Sequence, residues 1–426
     1  MNAFEKIIGY ESIKQELIQI CDMIHNKDIY QALGAKLPNG ILLYGDPGLG
    51  KTLIAKCFIE ESKLPSYIIR RNKSTRDFVN DITKTFQTAK ENAPAIIFLD
   101  DMDKFANEDE KHRDAEEYVA VQAGIDEVRD SDVFILATAN DIDKLPESLI
   151  RPGRFDRRIE IFHPTQNDSA AIIQHYLQSK KLAEDVNLED VAMMISFSSC
   201  AELETILNEA AITAAFSRKE HISMEDLTKA VLREHYDAPD DFVKTSEEQC
   251  QEIALHEAGH LVVSEVLCPG SVGLASIRTS GRNHSGGFVR RCKKLRKPSY
   301  DILISLAGKT AVELYYSETC ASGCENDIFR AAKKIRNALV DDGSHGFSML
   351  DIRSGSFRNM SENWCAQNEA VVYAELERYM FKARDILIKN REFLEQTATA
   401  LLAKETLLYS DIRAIRNRVE ITAVAV

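Results

Sequence analysis

One stretch restricts the possible folds more than any other: the apolar run Ile41-Leu42-Leu43-Tyr44, which passes directly into Gly45-Asp46-Pro47-Gly48-Leu49-Gly50-Lys51-Thr52. The second segment fits G-x-x-x-x-G-K-[ST], where glycines let backbone N–H groups curl around phosphate oxygens. Such a loop belongs between a strand and a helix, and the residues from Leu53 to Glu61 read as that helix. The start of the chain is therefore expected to be an α/β domain. Lys51 is placed to reach the β- and γ-phosphates of ATP, and the Thr52 hydroxyl to bind magnesium. A glycine-rich turn with no ligand is the alternative, and the strand–loop–helix context argues against it.

The following segments extend the same domain. Ala95-Ile96-Ile97-Phe98-Leu99 is a continuous apolar run of the kind found in buried parallel strands, and it ends in Asp100-Asp101. Asp100 is expected to hold the magnesium through water, and Asp101 to orient the attacking water. Val133-Phe134-Ile135-Leu136-Ala137 is a second such run, with Asn140 just beyond it as a further contact to that water or to the γ-phosphate. Arg151 and Arg154 flank a Pro-Gly turn. Beside a nucleotide site, such arginines are candidates for fingers that act on a neighbouring subunit's nucleotide, although an exposed arginine pair alone reads as solvated surface.

A second centre lies further along, at His256-Glu257-Ala258-Gly259-His260, inside an apolar run without proline. On a helix, residues four apart stand on one face, so both imidazoles can meet one metal ion. Zinc suits nitrogen ligands, and a catalytic zinc keeps a position open for water. Glu257 is then the general base for that water. A helix that merely carries two histidines is the alternative.

The chain has 426 residues, enough for two or three domains with separate cores. Its net charge of −14 argues against nucleic acid as a bulk partner. The nine cysteines are scattered without a C-x-x-C pair, which reads as reduced thiols in a cytosol. No apolar run approaches the length of a membrane span.

Leu149-Ile150-Arg151-Pro152-Gly153-Arg154-Phe155-Asp156-Arg157 closely resembles the second region of homology in the AAA group of AAA+ ATPases. Motor first and H-E-x-x-H second is the order of the FtsH family of ATP-dependent zinc proteases, which the chain resembles from Phe4 to about Arg413. The resemblance implies an α/β AAA+ domain over 1–163, a helical lid over 164–238 and a mainly α-helical zinc metalloprotease domain over 245–426, with an acidic linker around Asp237 to Asp241. It implies ATP, magnesium and zinc as cofactors, and nucleotide contacts from Ile8 and Gly9 and from Asp46 through Leu53, together with Asp100. Gly323-Cys324-Glu325-Asn326-Asp327-Ile328 matches the segment that supplies the third zinc ligand, which makes Asp327 that ligand. By itself Asp327 reads equally well as a helix N-cap. Glu313 matches a glutamate near the metal and is assigned to orienting a ligating histidine, with helix surface as the alternative. Gly286-Gly287-Phe288-Val289 resembles the strand beside the active cleft. Unfolded or misfolded polypeptide substrates and a homohexameric ring follow from the same resemblance.

The departures from the family matter. Asp101 stands where glutamate is usual, Asp46 where a second proline is usual, and Leu49 where threonine is usual. Glu127-Val128 replaces a Gly-Phe pair. The segment that carries the pore aromatic is shortened, and Phe78 is assigned to that role, with helix core as the alternative. Family members begin with membrane spans, whereas this sequence starts almost at the motor, so a cytoplasmic role on soluble substrates is expected. Three readings stay open: an ATP-driven protease, a slow-motor unfoldase or remodelling scaffold, and a zinc peptidase of small unfolded peptides.

Overall fold

The computed structural model describes residues 2–71, 74–106, 115–151, 153–238, 246–279, 286–295, 297–316, 321–340 and 362–424. The end of the expected linker, from position 239, lies outside the described residues.

The first apolar runs become a five-stranded sheet: β1 (Gly40–Tyr44), β2 (Ser66–Ile69), β3 (Ala95–Leu99), β4 (Val133–Ala139) and β5 (Arg157–Glu160). The strand order is β2-β3-β4-β1-β5, and every pairing is parallel. Parallel strands need crossovers, which run through α3 (Lys51–Ser62), α4 (Thr75–Glu91), α5 (Ala115–Glu127) and α6 (Glu147–Ile150); α1 (Glu11–His25) and α2 (Lys27–Ala32) precede the sheet and α7 (Gln166–Leu177) follows it. Successive strand side chains alternate between two cores. Ile41, Leu43, Ile96 and Phe98 enter one core, packed with Phe58 and Ile54 of α3. Leu42, Ile97 and Leu99 enter the other, packed with Ile82 and Phe86 of α4.

Phe78 corrects an expectation. It belongs to α4, is 2% exposed and meets Phe105 edge-on at 5.2 Å between ring centroids. It is a core residue and not a pore aromatic. The apolar face of α4 must cover β2 and β3, and Phe78 falls on the same face as Ile82 and Phe86.

The next helices are α8 (Leu188–Met194), α9 (Cys200–Phe216) and α10 (Met224–Tyr236). They are followed by α11 (Glu247–Leu267), β6 (Val272–Ser276), β7 (Phe288–Arg291), α12 (Pro298–Glu313), α13 (Ala321–Val340), α14 (Glu362–Lys389), α15 (Arg391–Lys404), β8 (Thr406–Leu408) and α16 (Tyr409–Arg416). Ser246 caps α11 reciprocally with Gln249, which satisfies N–H groups at the helix start. Helix α11 packs its Ala254, Ala258, Leu261 and Val262 among α12, α14 and α15. The second sheet is small, in the order β7-β6-β8, and its pairings are antiparallel.

The chain divides into two compact units. One comprises Met1–Ser179 and Phe197–Leu207; the other comprises Lys180–Ser196 and Asn208–Val426. The segment expected as a lid is thus shared between them, with α7 in the first unit and α8 and α10 in the second. Among the described residues, no helix is long and apolar enough to cross a membrane.

Candidate active sites

Helical spacing brings His256 and His260 onto one face of α11, with their Nε2 atoms 3.0 Å apart. Asp327, on α13, places Oδ2 3.1 Å from each of these nitrogens. The three donor atoms lie within 4.8 Å of one another. Two imidazoles and one carboxylate converging on a point form the donor set of a catalytic zinc site, and the cluster fits that ion. The Ile304 carbonyl of α12 accepts from His260 Nδ1 at 2.6 Å, which fixes the tautomer and leaves Nε2 for the cluster. Burial lowers the His260 pKa, but the charge and hydrogen bond of Asp327 outweigh this and raise it to about 9. Burial acts upward on Asp327, yet His260 and His256 hold it well below the usual carboxylate range. This is strong mutual attraction of groups that a cation can bridge.

Backbone without side chains makes this approach possible. A Cβ on Gly259 would lie 2.6 Å from the Ala307 carbonyl, and one on Gly308 would lie 2.5 Å from His260 Nε2 and 2.6 Å from His256 Nε2. Helices α11 and α12 therefore meet through two glycines, at the level of the histidines. Glu257 follows His256 and is 5% exposed. Burial raises its pKa, partly offset by His256 and His260, the direction in which a buried carboxylate becomes a better proton acceptor. Gly287, just before β7, lies against it: a Cβ there would be 2.6 Å from Glu257 Cγ.

The phosphate loop lies between β1 and α3, as its motif requires. Gly45, Gly48 and Gly50 all have positive φ, at 138°, 81° and 86°, values that few residues other than glycine adopt. Lys51 Nζ donates to the carbonyls of Gly45 and Asp46 at 2.6 and 2.7 Å. Burial lowers its pKa, while Asp101, Asp103 and Asp46 act in the opposite direction. Thr52 Oγ1 donates to Asp100 Oδ1 at 3.0 Å, and Thr138 donates to the same oxygen at 2.9 Å. The hydroxyl and carboxylate assigned to magnesium thus meet, and this part of the site fits the ion. Pro47 lies in the loop; Leu49 is buried beneath it, while Leu53 on α3 is largely exposed. The Asp46 carboxylate lies 3.0 Å from His163 Nε2. Gly9, at φ 73°, packs on Asp168, whose carboxylate accepts from the Tyr10 N–H at 3.0 Å; Ile8 beside it is half-buried.

Other assigned residues take positions that sequence did not foresee. Asp101 has left-handed backbone, φ 55°, and its carboxylate pairs with Lys104 at 2.6 Å. Asn140 donates its backbone N–H to Asp103 at 3.1 Å, which ties the end of β4 to the turn after β3. Arg151 is exposed. Arg154 is 2% exposed and forms a two-pronged ion pair with Asp126, at 3.0 and 2.6 Å, with a further bond to the Ser148 carbonyl. A buried guanidinium requires such partners, and in the single chain Asp126 supplies them. Glu313 pairs with Lys309, one turn back on α12. The orienting partner of His260 is the Ile304 carbonyl, which no sequence signal distinguishes.

Comparison with known proteins agrees with both centres. Residues 41–162 match the ATPase family associated with various cellular activities (AAA). Residues 243–415 match peptidase family M41. An ATP-dependent zinc metalloprotease FtsH of Leptotrichia buccalis is 32% identical over 438 residues, covering 97% of this chain and 56% of that protein. The ATP-dependent zinc metalloprotease FtsH 3 of Symbiobacterium thermophilum is 30% identical over 437 residues, 95% of this chain and 69% of that protein. The FtsH of Thermus thermophilus is 29% identical, with 97% and 70% covered. The chain thus spans between about half and about two thirds of the length of these relatives. One of these relatives matches at 30% identity over 95% of the chain and more than two thirds of its own length, and the chain belongs to the FtsH family of ATP-dependent zinc metalloproteases.

Proposed function

We propose that the chain is an ATP-dependent zinc endopeptidase that unfolds and cleaves polypeptides. The observation that carries this reading is the convergence of His256, His260 and Asp327 beside the buried Glu257, on a chain that also holds a phosphate loop. His256, His260 and Asp327 hold the zinc, which when bound supplies Lewis acidity towards the scissile carbonyl and water. Glu257 takes the proton of the attacking water and returns it to the leaving amine. In the motor, Lys51 binds the β- and γ-phosphates, Thr52 and Asp100 hold magnesium, and Asn140 faces the γ-phosphate side. Arg151 acts on the nucleotide of a neighbouring subunit in a homohexameric ring. The working division into a motor over 1–163, a lid over 164–238 and a peptidase over 245–426 is part of this reading. So is a cytoplasmic location, which rests on the scattered cysteines. The test is degradation of a folded, tagged protein with ATP, with a non-hydrolysable analogue and without nucleotide. Cleavage with ATP alone is expected; equal cleavage in all three would leave only a peptidase.

A second reading, a slow motor, is favoured by the Asp101–Lys104 ion pair. Aspartate is one methylene shorter than glutamate, and a misplacement of about 1 Å costs on the order of a hundredfold in rate. Asp101→Glu is expected to hydrolyse ATP faster than the parent. A slower variant would show a site rebuilt around aspartate.

A further inference from the structure

Tyr236 is the last residue of α10, in the segment assigned to the ATPase lid. Its ring stacks on that of Phe288 with centroids 3.8 Å apart and planes 8° from parallel. Both residues are buried. Phe288 opens β7, opposite Ser276 of β6. Its predecessor, Gly287, is the residue whose backbone lies against the Glu257 side chain. The stacked ring and the backbone against which the catalytic base is packed therefore belong to consecutive residues.

Among the described residues β7 also sits at an edge of the small sheet, with β6 as its single strand neighbour there. A strand held along one side depends on whatever else packs against it. The lid segment provides this at a second point as well: Arg290 donates to the Ser196 carbonyl, just beyond α8, at 2.5 Å. The hydroxyl of Tyr236 is also within reach of Arg290, whose charge and hydrogen bond act against the upward effect of burial on the phenol. Alternate residues of β7, Phe288 and Arg290, are thus gripped from the lid segment.

We propose that Tyr236 is a positioning residue of the peptidase centre, which through Phe288 and Gly287 holds Glu257 in its productive place. This rests on the reading of Glu257 as the base. The phenol acts through β7: it sets where the strand lies.

The test uses the full chain with zinc and ATP, a short unstructured fluorogenic peptide, and two variants. Tyr236→Leu keeps apolar bulk and removes the ring; Tyr236→Phe keeps the ring and removes the hydroxyl. For Tyr236→Leu, kcat is expected to fall about tenfold with KM little changed, a modest misplacement on the scale of catalytic geometry. Zinc content and ATPase rate should match the parent, and Tyr236→Phe should restore kcat. Hydrogen exchange at the backbone amides of Gly287, Phe288 and Val289 should be faster in Tyr236→Leu alone. Parental kcat and parental exchange in Tyr236→Leu would overturn the proposal. So would a loss of kcat accompanied by loss of zinc and faster exchange throughout, since that describes general destabilisation. A parent chain that fails to cleave the peptide would count against the proposed function, and the exchange measurement would still decide whether the stack holds β7.

Discussion

A methyl group at position 308 would stand 2.5 Å from His260 Nε2 and 2.6 Å from His256 Cε1. Gly308→Ala is therefore expected to push the imidazoles off their common point, with zinc content and peptide cleavage falling together, each by about tenfold or more, as loss of ligand geometry weakens metal binding. Glu257→Gln should behave differently: zinc retained by metal analysis, cleavage abolished, as the proposed role of base and not ligand requires. Full zinc and activity in Gly308→Ala would mean that α12 shifts to make room. How much of this was legible follows from the reach of local rules. His256 and His260 were readable because four residues on a helix fix their geometry. Asp327, 67 residues from His260, was readable only by resemblance, since its segment alone fits a helix cap equally well. The role of Gly308 was not readable, because sequence does not state which faces of two helices will meet. For Glu313 the structure adds an ion pair with Lys309, four residues back on the same helix.

At the scale of elements, buried strands were the most legible features, since runs such as Ala95–Leu99 are apolar at every position and both faces of β3 are covered. Phe78 was misjudged because a shortened segment was aligned to a pore loop, while helical period on α4 already placed it with Ile82 and Phe86. Phe78→Ala is expected to destabilise the nucleotide-binding unit by about 3–5 kcal/mol, as for other buried phenylalanines. Thermal unfolding measures this, and a change under about 1 kcal/mol would contradict core packing at this site. In the other unit, Asp301 near the start of α12 ties β7 to α13, accepting from Arg291 at 2.7 Å and pairing with Lys334 at 2.6 Å. Burial raises its pKa, but Lys334 and Arg291 outweigh this and lower it. The unfolded chain then binds more protons in acid, so the stability from this tie is present above an unfolded pKa of about 3.9 and is lost as pH falls through the lower folded value. Comparison of denaturant midpoints of Asp301→Asn and the parent should show a gap at pH 7 that closes below about pH 4.

For the molecule as a whole, sequence proposed a lid over 164–238, and the contacts made by α8 within that span run through single polar groups that no periodicity reveals. Asp190 of α8 accepts from the Ser410 N–H at 2.7 Å and from its hydroxyl at 2.6 Å, and Glu189 pairs with Arg413 at 3.1 Å. The glycine at position 273, in β6, lies against the Met193 carbonyl, where a side chain would not fit. Helix α8 is thus a fitted cover for β6 and α16. Anyone who excises the peptidase for separate production inherits this fact. A piece that begins at Glu247 would strip the cover, leaving the Ser410 donors without their carboxylate and the fully buried β6 open on one side. Light scattering should find such a piece aggregated, while one begun at Lys180 keeps α8 and should not be. The smallest portable form of this peptidase therefore starts inside what looks like the motor.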